Sequence, residues 1–272
     1  MKSETINGEK YEYKYDARSN ITDVTKDGVL QYHYGYDMMN QLVSVNDKLN
    51  GKVYNYTYDA GGNLISETVT DSNGTTSNAY EYNNSNWGDV LTSYNGQSIT
   101  YDEIGNPLTY RDGMSMTWKN GRQLTTLTNG DTSISYGYDS DSVRTTKTVN
   151  GVKYTYAYLN GQLLYETRGD AKFYYSYDSN GILYNVRYTL TDGGTEYSYY
   201  YTHNSRGDIV GIYNGAGELK AHYEYDAWGN ILASSGSMAE KNPLRYRGYY
   251  YDSETGFYYL QSRYYDPANH RF

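Results

Sequence analysis

The chain has 272 residues, 40 of them tyrosine and none cysteine, while Val, Leu, Ile and Phe together number 42. That aliphatic share lies under the roughly 20% expected of a conventional core and excludes a Leu-rich helical bundle. A net charge of −9 from 23 basic and 32 acidic residues, with no basic run longer than two, argues against a nucleic-acid partner, because phosphate binding requires clustered Lys and Arg on one face.

Taken in chain order, the sequence is a series of strands punctuated by two kinds of turn. Asn7-Gly8 opens the series, and Tyr11, Tyr13 and Tyr15 then alternate along a strand that ends at Tyr15-Asp16. Asp27-Gly28 follows, then Tyr32, Tyr34 and Tyr36, ending at Tyr36-Asp37. Asn50-Gly51 precedes Tyr54, Tyr56 and Tyr58, and the turn Tyr58-Asp59-Ala60-Gly61-Gly62-Asn63-Leu64 is the first complete copy of a pattern. Asn73-Gly74, a degenerate Tyr82-Asn83 and Asn95-Gly96 lead to the second full copy, Tyr101-Asp102 with Gly105-Asn106. Beyond Asp112-Gly113 come a degenerate Trp118-Lys119, Tyr138-Asp139 and Asn150-Gly151. Tyr154, Tyr156 and Tyr158 lead into a degenerate Tyr158-Leu159, followed by Tyr177-Asp178, Asn180-Gly181 and Asp192-Gly193. Tyr197, Tyr199 and Tyr201 precede a degenerate His203-Asn204, and Asn214-Gly215 precedes the last full copy, Tyr225-Asp226 with Gly229-Asn230.

The spacing is a repeat of about 21 residues, and a repeat of that length denotes stacked supersecondary units. Asn-Gly and Asp-Gly between alternating segments signal tight hairpins, because both central residues of a type I′ turn need positive φ. Asp and Asn after the strand tyrosine bond the backbone two residues on. Alternating aromatic and β-branched residues with turns every 8–12 residues predict an all-β chain of antiparallel hairpins. At two strands per repeat the sheet would hold about 22 strands and be roughly 105 Å wide, so it is expected to coil on itself as the wall of a shell. No segment has helical periodicity or the length of apolar residues that spans a bilayer.

The repeats resemble the YD or Rhs repeats of bacterial polymorphic toxins, of the C subunits of insecticidal toxin complexes and of animal teneurins. Residues 242–272 are similar to the Rhs repeat-associated core, in the words Asn242-Pro243-Leu244-Arg245-Tyr246-Arg247-Gly248-Tyr249-Tyr250-Tyr251-Asp252 and Glu254-Thr255-Gly256-Phe257-Tyr258-Tyr259-Leu260-Gln261-Ser262-Arg263-Tyr264-Tyr265-Asp266-Pro267. Ala268-Asn269-His270 departs from the family's usual glycine before the final Arg-Phe. The resemblance implies a spiral β-sheet shell, with repeats over 1–241 and the core-like segment over 242–272 forming one continuous unit. It implies that the shell sequesters a toxin absent from this chain, with that toxin domain and upstream repeats as its partners. It also implies a bacterial protein that is secreted or on the cell surface, its export signal lying outside this sequence.

Asp252, Asp266 and Arg263 are the candidates for self-cleavage chemistry. The favoured interpretation is structural, with both aspartates ending strands and Arg263 bonding neighbouring strands, since a downstream acidic partner is missing. No catalytic, cofactor-binding or metal site is assigned: His33, His203, His222 and His270 lack ligand spacing, and the repeat turns carry one Asp each where calcium needs clustered oxygens. Arg206-Gly207-Asp208 sits in a degenerate turn and is read as a chance match to an integrin tripeptide. Two alternatives remain open at this point: a carbohydrate-binding or adhesive module using exposed tyrosine ladders, and part of an aspartyl autoprotease core.

Overall fold

A computed structural model describes residues 2–191 and 193–272; Asp192, of the turn Asp192-Gly193, lies outside the described residues. Among them the only helical segments are the short 3-10 turns Arg111–Gly113 and Tyr246–Gly248; the regular structure is otherwise all strand. Among the described residues no helix is long and apolar enough to cross a membrane. The chain falls into two compact units, Met1–Asp112 and Gly113–Phe272.

In the first unit, Ser3–Ile6, Glu9–Tyr15, Ile21–Lys26, Val29–Tyr36, Leu42–Asp47, Lys52–Tyr58, Leu64–Asp71, Gly74–Glu81, Ser93–Tyr94 and Gln97–Ser98 form an antiparallel sheet in sequence order. The hairpin of Thr100–Tyr101 with Pro107–Thr109 follows. Residues 82–92, around the degenerate Tyr82-Asn83, form no strand. Asn84 Oδ1 there accepts the N–H groups of Asn86 and Trp87, and the local turn replaces the ladder.

In the second unit, the strands Ser115–Lys119, Gln123–Asn129, Thr132–Tyr138, Arg144–Val149, Val152–Leu159, Gln162–Arg168, Ala171–Tyr177, Leu183–Thr189, Glu196–His203, Ile209–Asn214, Leu219–Tyr225 and Ile231–Ser235 again follow chain order. A separate small sheet joins Tyr250–Asp252, Phe257–Tyr259 and Tyr264–Tyr265. Neighbours in both long sheets are consecutive and antiparallel, and neither sheet closes into a barrel.

The repeat turn has a definite mechanism. Asp59 Oδ1 accepts the N–H groups of Gly61 at 2.8 Å and Asn63 at 2.9 Å, while Oδ2 accepts the Asn63 amide at 2.9 Å. Those bonds hold the Asp59 carboxyl below its ordinary pKa, the Asn63 side chain contributing most. Asp16, Asp102 and Asp226 repeat the full arrangement with Asn20, Asn106 and Asn230. Asp37, Asp139 and Asp178 keep only the backbone bonds, because Gln41, Val143 and Ile182 occupy the asparagine position. The third residue after the aspartate has positive φ in every case: Gly62, Gly105, Gly181 and Gly229, but also Ser19, Asn40 and Ser142. The short polar side chains tolerate the left-handed region, so glycine is not obligatory there.

The tyrosine before each aspartate ties one repeat to the one before it. Its hydroxyl, and that of Tyr82 before Asn83, donates to a carbonyl just after the preceding turn: Tyr36 to Ile21, Tyr58 to Leu42, Tyr82 to Leu64, Tyr101 to Leu91, Tyr138 to Leu124, Tyr177 to Leu163 and Tyr225 to Ile209, at 2.7–3.0 Å. Phenylalanine would fill the same volume and leave that carbonyl unpaired, which is a physical reason for tyrosine.

A register shift accompanies each such tyrosine except Tyr82, which lies outside the ladder. Tyr58 pairs with Leu64 and Thr57 with Ser66, so Ile65 is left over as a bulge. A bulge rotates the strand by one residue, so the residues six and nine after the tyrosine face the same way, inward. Leu64 with Glu67, Leu124 with Leu127, Leu183 with Val186 and Ile209 with Ile212 are all buried at these two positions. The second unit's core runs from Tyr156 through Tyr175, Val186, Tyr201 and Ile212 to Met238, Leu244 and Tyr259, between the sheet's inward face and the chain that follows the last strand.

Candidate functional site

In the repeat of Tyr138 the two inward positions hold Arg144 and Lys147, where most other copies place Leu, Ile or Val. Both charges are buried and both are met by the core-like segment. Asp252 ends the strand Tyr250–Asp252; its Oδ2 accepts Arg144 Nη1 at 2.5 Å and its Oδ1 accepts Arg144 Nη2 at 3.2 Å and Lys147 Nζ at 2.8 Å. Lys147 also reaches Glu254 Oε2 at 3.0 Å. Arg144 and Asp252 are each 0% exposed.

Tyrosines complete the enclosure. The Arg144 guanidinium lies 4.2 Å from the Tyr259 ring centre, 5.2 Å from those of Tyr156 and Tyr250, 5.5 Å from that of Tyr136 and 5.9 Å from that of Tyr264. The electron-rich ring faces attract the cation where water cannot reach it. Burial alone raises the pKa of Asp252, but Arg144 and then Lys147 more than offset it, leaving the carboxyl below its ordinary value. For Arg144 burial likewise opposes the charge, and Asp252 outweighs it, so the pKa rises. The pair stays ionised.

A second buried carboxylate adjoins the first cluster. Glu166 accepts Arg168 Nε at 2.7 Å, the Tyr175 hydroxyl at 3.0 Å and the Tyr250 hydroxyl at 2.5 Å. Tyr250 therefore connects the two clusters, accepting the Tyr156 hydroxyl at 3.3 Å as well.

The core-like segment is held elsewhere by its own signature residues. Arg245 donates to the carbonyls of Asn242 and Ala239 and lies over the rings of Tyr251 and Tyr223. In the degenerate turn His203-Asn204 the acid and amide have exchanged places: Asn204 accepts the backbone N–H groups, and Asp208 stands where asparagine is usual. The exchanged carboxylate accepts the Arg247 backbone N–H at 3.1 Å and lies 3.3 Å from the Arg206 guanidinium, fully buried. The Arg206-Gly207-Asp208 tripeptide thus has its aspartate engaged within the fold. Around the last full turn, Tyr246, Tyr258 and Tyr265 donate to the carbonyls of Ala227, Gly229 and Trp228, and Asn230 donates to Pro267. His270 stacks on Trp228 at 4.3 Å, and burial lowers its pKa to about 3.

The three self-cleavage candidates are apart in role. Asp252 is committed to Arg144 and Lys147. Asp266 Oδ1 accepts the Ala268 N–H, and its backbone bridges to Arg271. Arg263, expected to bond neighbouring strands, instead lies in the exposed 260–263 turn with its guanidinium 4.4 Å from the Phe272 ring, because Leu260 N–H closes that turn on the Arg263 carbonyl. Among the described residues no group of His, Asp and Glu could hold a metal; His33 and His222 sit beside Asp23 and Glu224. Sequence analysis missed Arg144, Lys147 and Glu166. The available signal was a charge at an inward position of the repeat that is aliphatic in most other copies.

Over 212 residues, 74% of the chain, the sequence is 41% identical to the tRNA3(Ser)-specific nuclease WapA of Bacillus spizizenii, and over 216 residues it is 39% identical to the tRNA nuclease WapA of Bacillus subtilis. The chain spans 8% of the length of each. A crystal structure of TcdB2-TccC3-TEV aligns with 96% of the chain and 15% of its own at a TM-score of 0.76 and 18% identity. The Photorhabdus luminescens Tc holotoxin pore aligns with 95% of the chain and 15% of its own at 0.72 and 16%. At that identity the likeness is one of fold. Residues 2–272 match the family model of the teneurin YD-shell, and the chain belongs to that family.

Proposed function

We propose that this chain is a wall segment of a YD shell that sequesters a toxin carried elsewhere in the same polypeptide, in a bacterial protein that works outside the cell producing it. The observation that carries the proposal is the buried meeting of Arg144 and Lys147 on the sheet with Asp252 and Glu254 in the core-like segment. A wall that retains cargo has to be held shut, and those charges fasten the segment that follows the repeats onto the repeats. The WapA relatives are named nucleases, and the chain matches only a small part of their length, which leaves room for chemistry in another part of such a protein. In this proposal the role of residues 1–272 is structural: 1–241 supply repeats, 242–272 fasten them, and the tyrosine, aspartate, glycine and asparagine of each turn set the strand register.

The test is limited proteolysis of the full-length gene product, followed by mass spectrometry of whatever lies beyond the shell. Under this proposal that region survives as long as the repeats do, and Asp252→Asn exposes it at protease levels the parent resists. Prompt digestion of that region beside intact repeats would overturn the proposal.

A further inference from the structure

Lys147 is a primary amine held between two carboxyl groups and shut away from water. Its Nζ lies 2.8 Å from Asp252 Oδ1 on one side and 3.2 and 3.0 Å from Glu254 Oε1 and Oε2 on the other, and its side chain is 2% exposed. The rings of Tyr154 and Tyr250, centred 4.7 and 5.7 Å from Nζ, flank it. Both ends are fixed by the backbone. Lys147 stands within the strand Arg144–Val149, and the turn that carries Glu254 is closed by the N–H groups of Thr255 and Gly256 on the Asp252 carbonyl. With both Glu254 oxygens this near, the carboxyl carbon is within about 3.5 Å of Nζ, the separation at which well-placed reactants meet.

The two carboxyl groups are not equivalent. Asp252 accepts two bonds from Arg144 besides that of Lys147, and the guanidinium holds its carboxyl below the ordinary value. An anion so held has a poorly electrophilic carbon, and the role left to it is that of a base. The Glu254 carboxyl group meets only Lys147 among the described residues, and its side chain is 16% exposed, which gives a water molecule a way out. Burying an ion pair is costly because both charges lose their hydration. Condensing Lys147 with Glu254 removes both charges as a neutral amide and leaves Arg144 paired with Asp252 as before.

We propose that Lys147 and Glu254 join in an intramolecular isopeptide bond, with Asp252 as the base that serves the reaction. One proton passes from the Nζ ammonium to Glu254 across their hydrogen bond, which makes an amine and a carboxylic acid together. Nζ attacks Cδ, and Asp252 Oδ1 takes a second proton from Nζ and returns it to the departing hydroxyl. The Nζ–Cδ bond forms, one Cδ–O bond breaks and one water leaves, so an ammonium and a carboxylate become an amide and water without any oxidant or cofactor. The link spans 107 positions in a chain that has no cysteine, and it restrains the unfolded chain as a disulfide would. A wall fastened by charges alone is still a wall, so failure of this proposal leaves the shell proposal untouched.

The test is the intact mass of the whole chain, folded and then denatured, followed by a tryptic map. The parent should be lighter than its sequence by one water, and trypsin should pass over Lys147, leaving residues 145–153 joined to residues 248–263. Lys147→Arg, which keeps the charge, and Glu254→Ala should each restore the full mass and free the two peptides from one another. Asp252→Asn, checked for its fold by circular dichroism, should link roughly a hundredfold more slowly than the parent. Full mass in the folded parent, or a mass loss that persists in Lys147→Arg, would overturn the proposal. So would a lost water that maps elsewhere, to a succinimide at an Asp-Gly turn or to Lys147 and Asp252, and linking of Asp252→Asn at the parent's rate would overturn the assignment of the base.

Discussion

Replacing Asp252 by asparagine keeps the shape of the core-like segment and removes one charge from a site where two cations face it. Arg144 is then a fully buried guanidinium without a counterion, and Lys147 retains only Glu254. Removing one member of a buried pair costs about 3–5 kcal/mol, because the survivor stays desolvated. Five tyrosine rings within 6 Å of Arg144 still attract it, worth about 2 kcal/mol where water is excluded, so the lower end applies and we expect about 3 kcal/mol. For a unit of this size that lowers Tm by about 6–12 °C. Urea and thermal unfolding followed by circular dichroism measure it. The second half of the test uses the repeat's own pattern: Leu64, Leu124, Leu163 and Leu183 occupy the position that Arg144 fills. Arg144→Leu with Asp252→Asn therefore removes the stranded charge and installs the side chain the sheet accepts elsewhere. The double variant should lie closer to the parent than either single variant, with a coupling of about 2 kcal/mol. An Asp252→Asn protein that melts within about 2 °C of the parent would refute the reasoning.

His270 gives a pH prediction. Its folded pKa, lowered to about 3 by burial, lies under the ordinary 6.5 of the unfolded chain, so between those values the unfolded state holds the extra proton. Stability is complete above pH 6.5 and falls by at most about 1.4 kcal/mol per unit as pH drops towards 3; His270→Phe should flatten that slope in a denaturation series. Asp252 acts lower, its depressed pKa making its contribution complete above about pH 4 and lost as pH falls further. Tyr58→Phe and Tyr177→Phe, which remove hydroxyl bonds to Leu42 and Leu163, should each cost about 0.5–1.5 kcal/mol in urea unfolding. Gly229→Ala combines a φ of +91° with a Cβ only 2.6 Å from the Tyr246 ring, whereas Gly207 has a φ of +83° and nothing nearby. Its cost should exceed the strain of about 1–2 kcal/mol expected of Gly207→Ala, and equal costs would show that Tyr246 does not sit on that turn.

The turns were legible because their causes are local. Asp59 finds all its partners within four residues, and the spacing that carries those bonds is the spacing visible in the sequence. The strand tyrosines were legible as alternation, but the destination of the Tyr58 hydroxyl was not, since it depends on the bulge at Ile65 and on where the preceding turn ends. The fastening of residues 242–272 was the least legible part. Arg144 and Asp252 lie 108 positions apart, and no periodicity connects them. What could be read is that Arg144 and Lys147 occupy aliphatic positions and so require a partner from outside the repeat. The degenerate copies behaved differently from one another: Asn204 and Asp208 preserve the turn with acid and amide exchanged, while the stretch after Tyr82 abandons the ladder.

The tyrosine bonds between repeats all point backwards along the chain: each hydroxyl donates to a carbonyl made earlier, never to one still to come. During synthesis, a repeat leaving the ribosome therefore finds the acceptor of that bond already in place, whereas Tyr156, Tyr201 and Tyr223 wait for Tyr250, Asn242 and Ala239. The wall can grow one hairpin at a time with its polar groups matched as it lengthens. The charged cluster around Arg144 is the counterexample: it stays open until Asp252 has been translated, so fastening comes last.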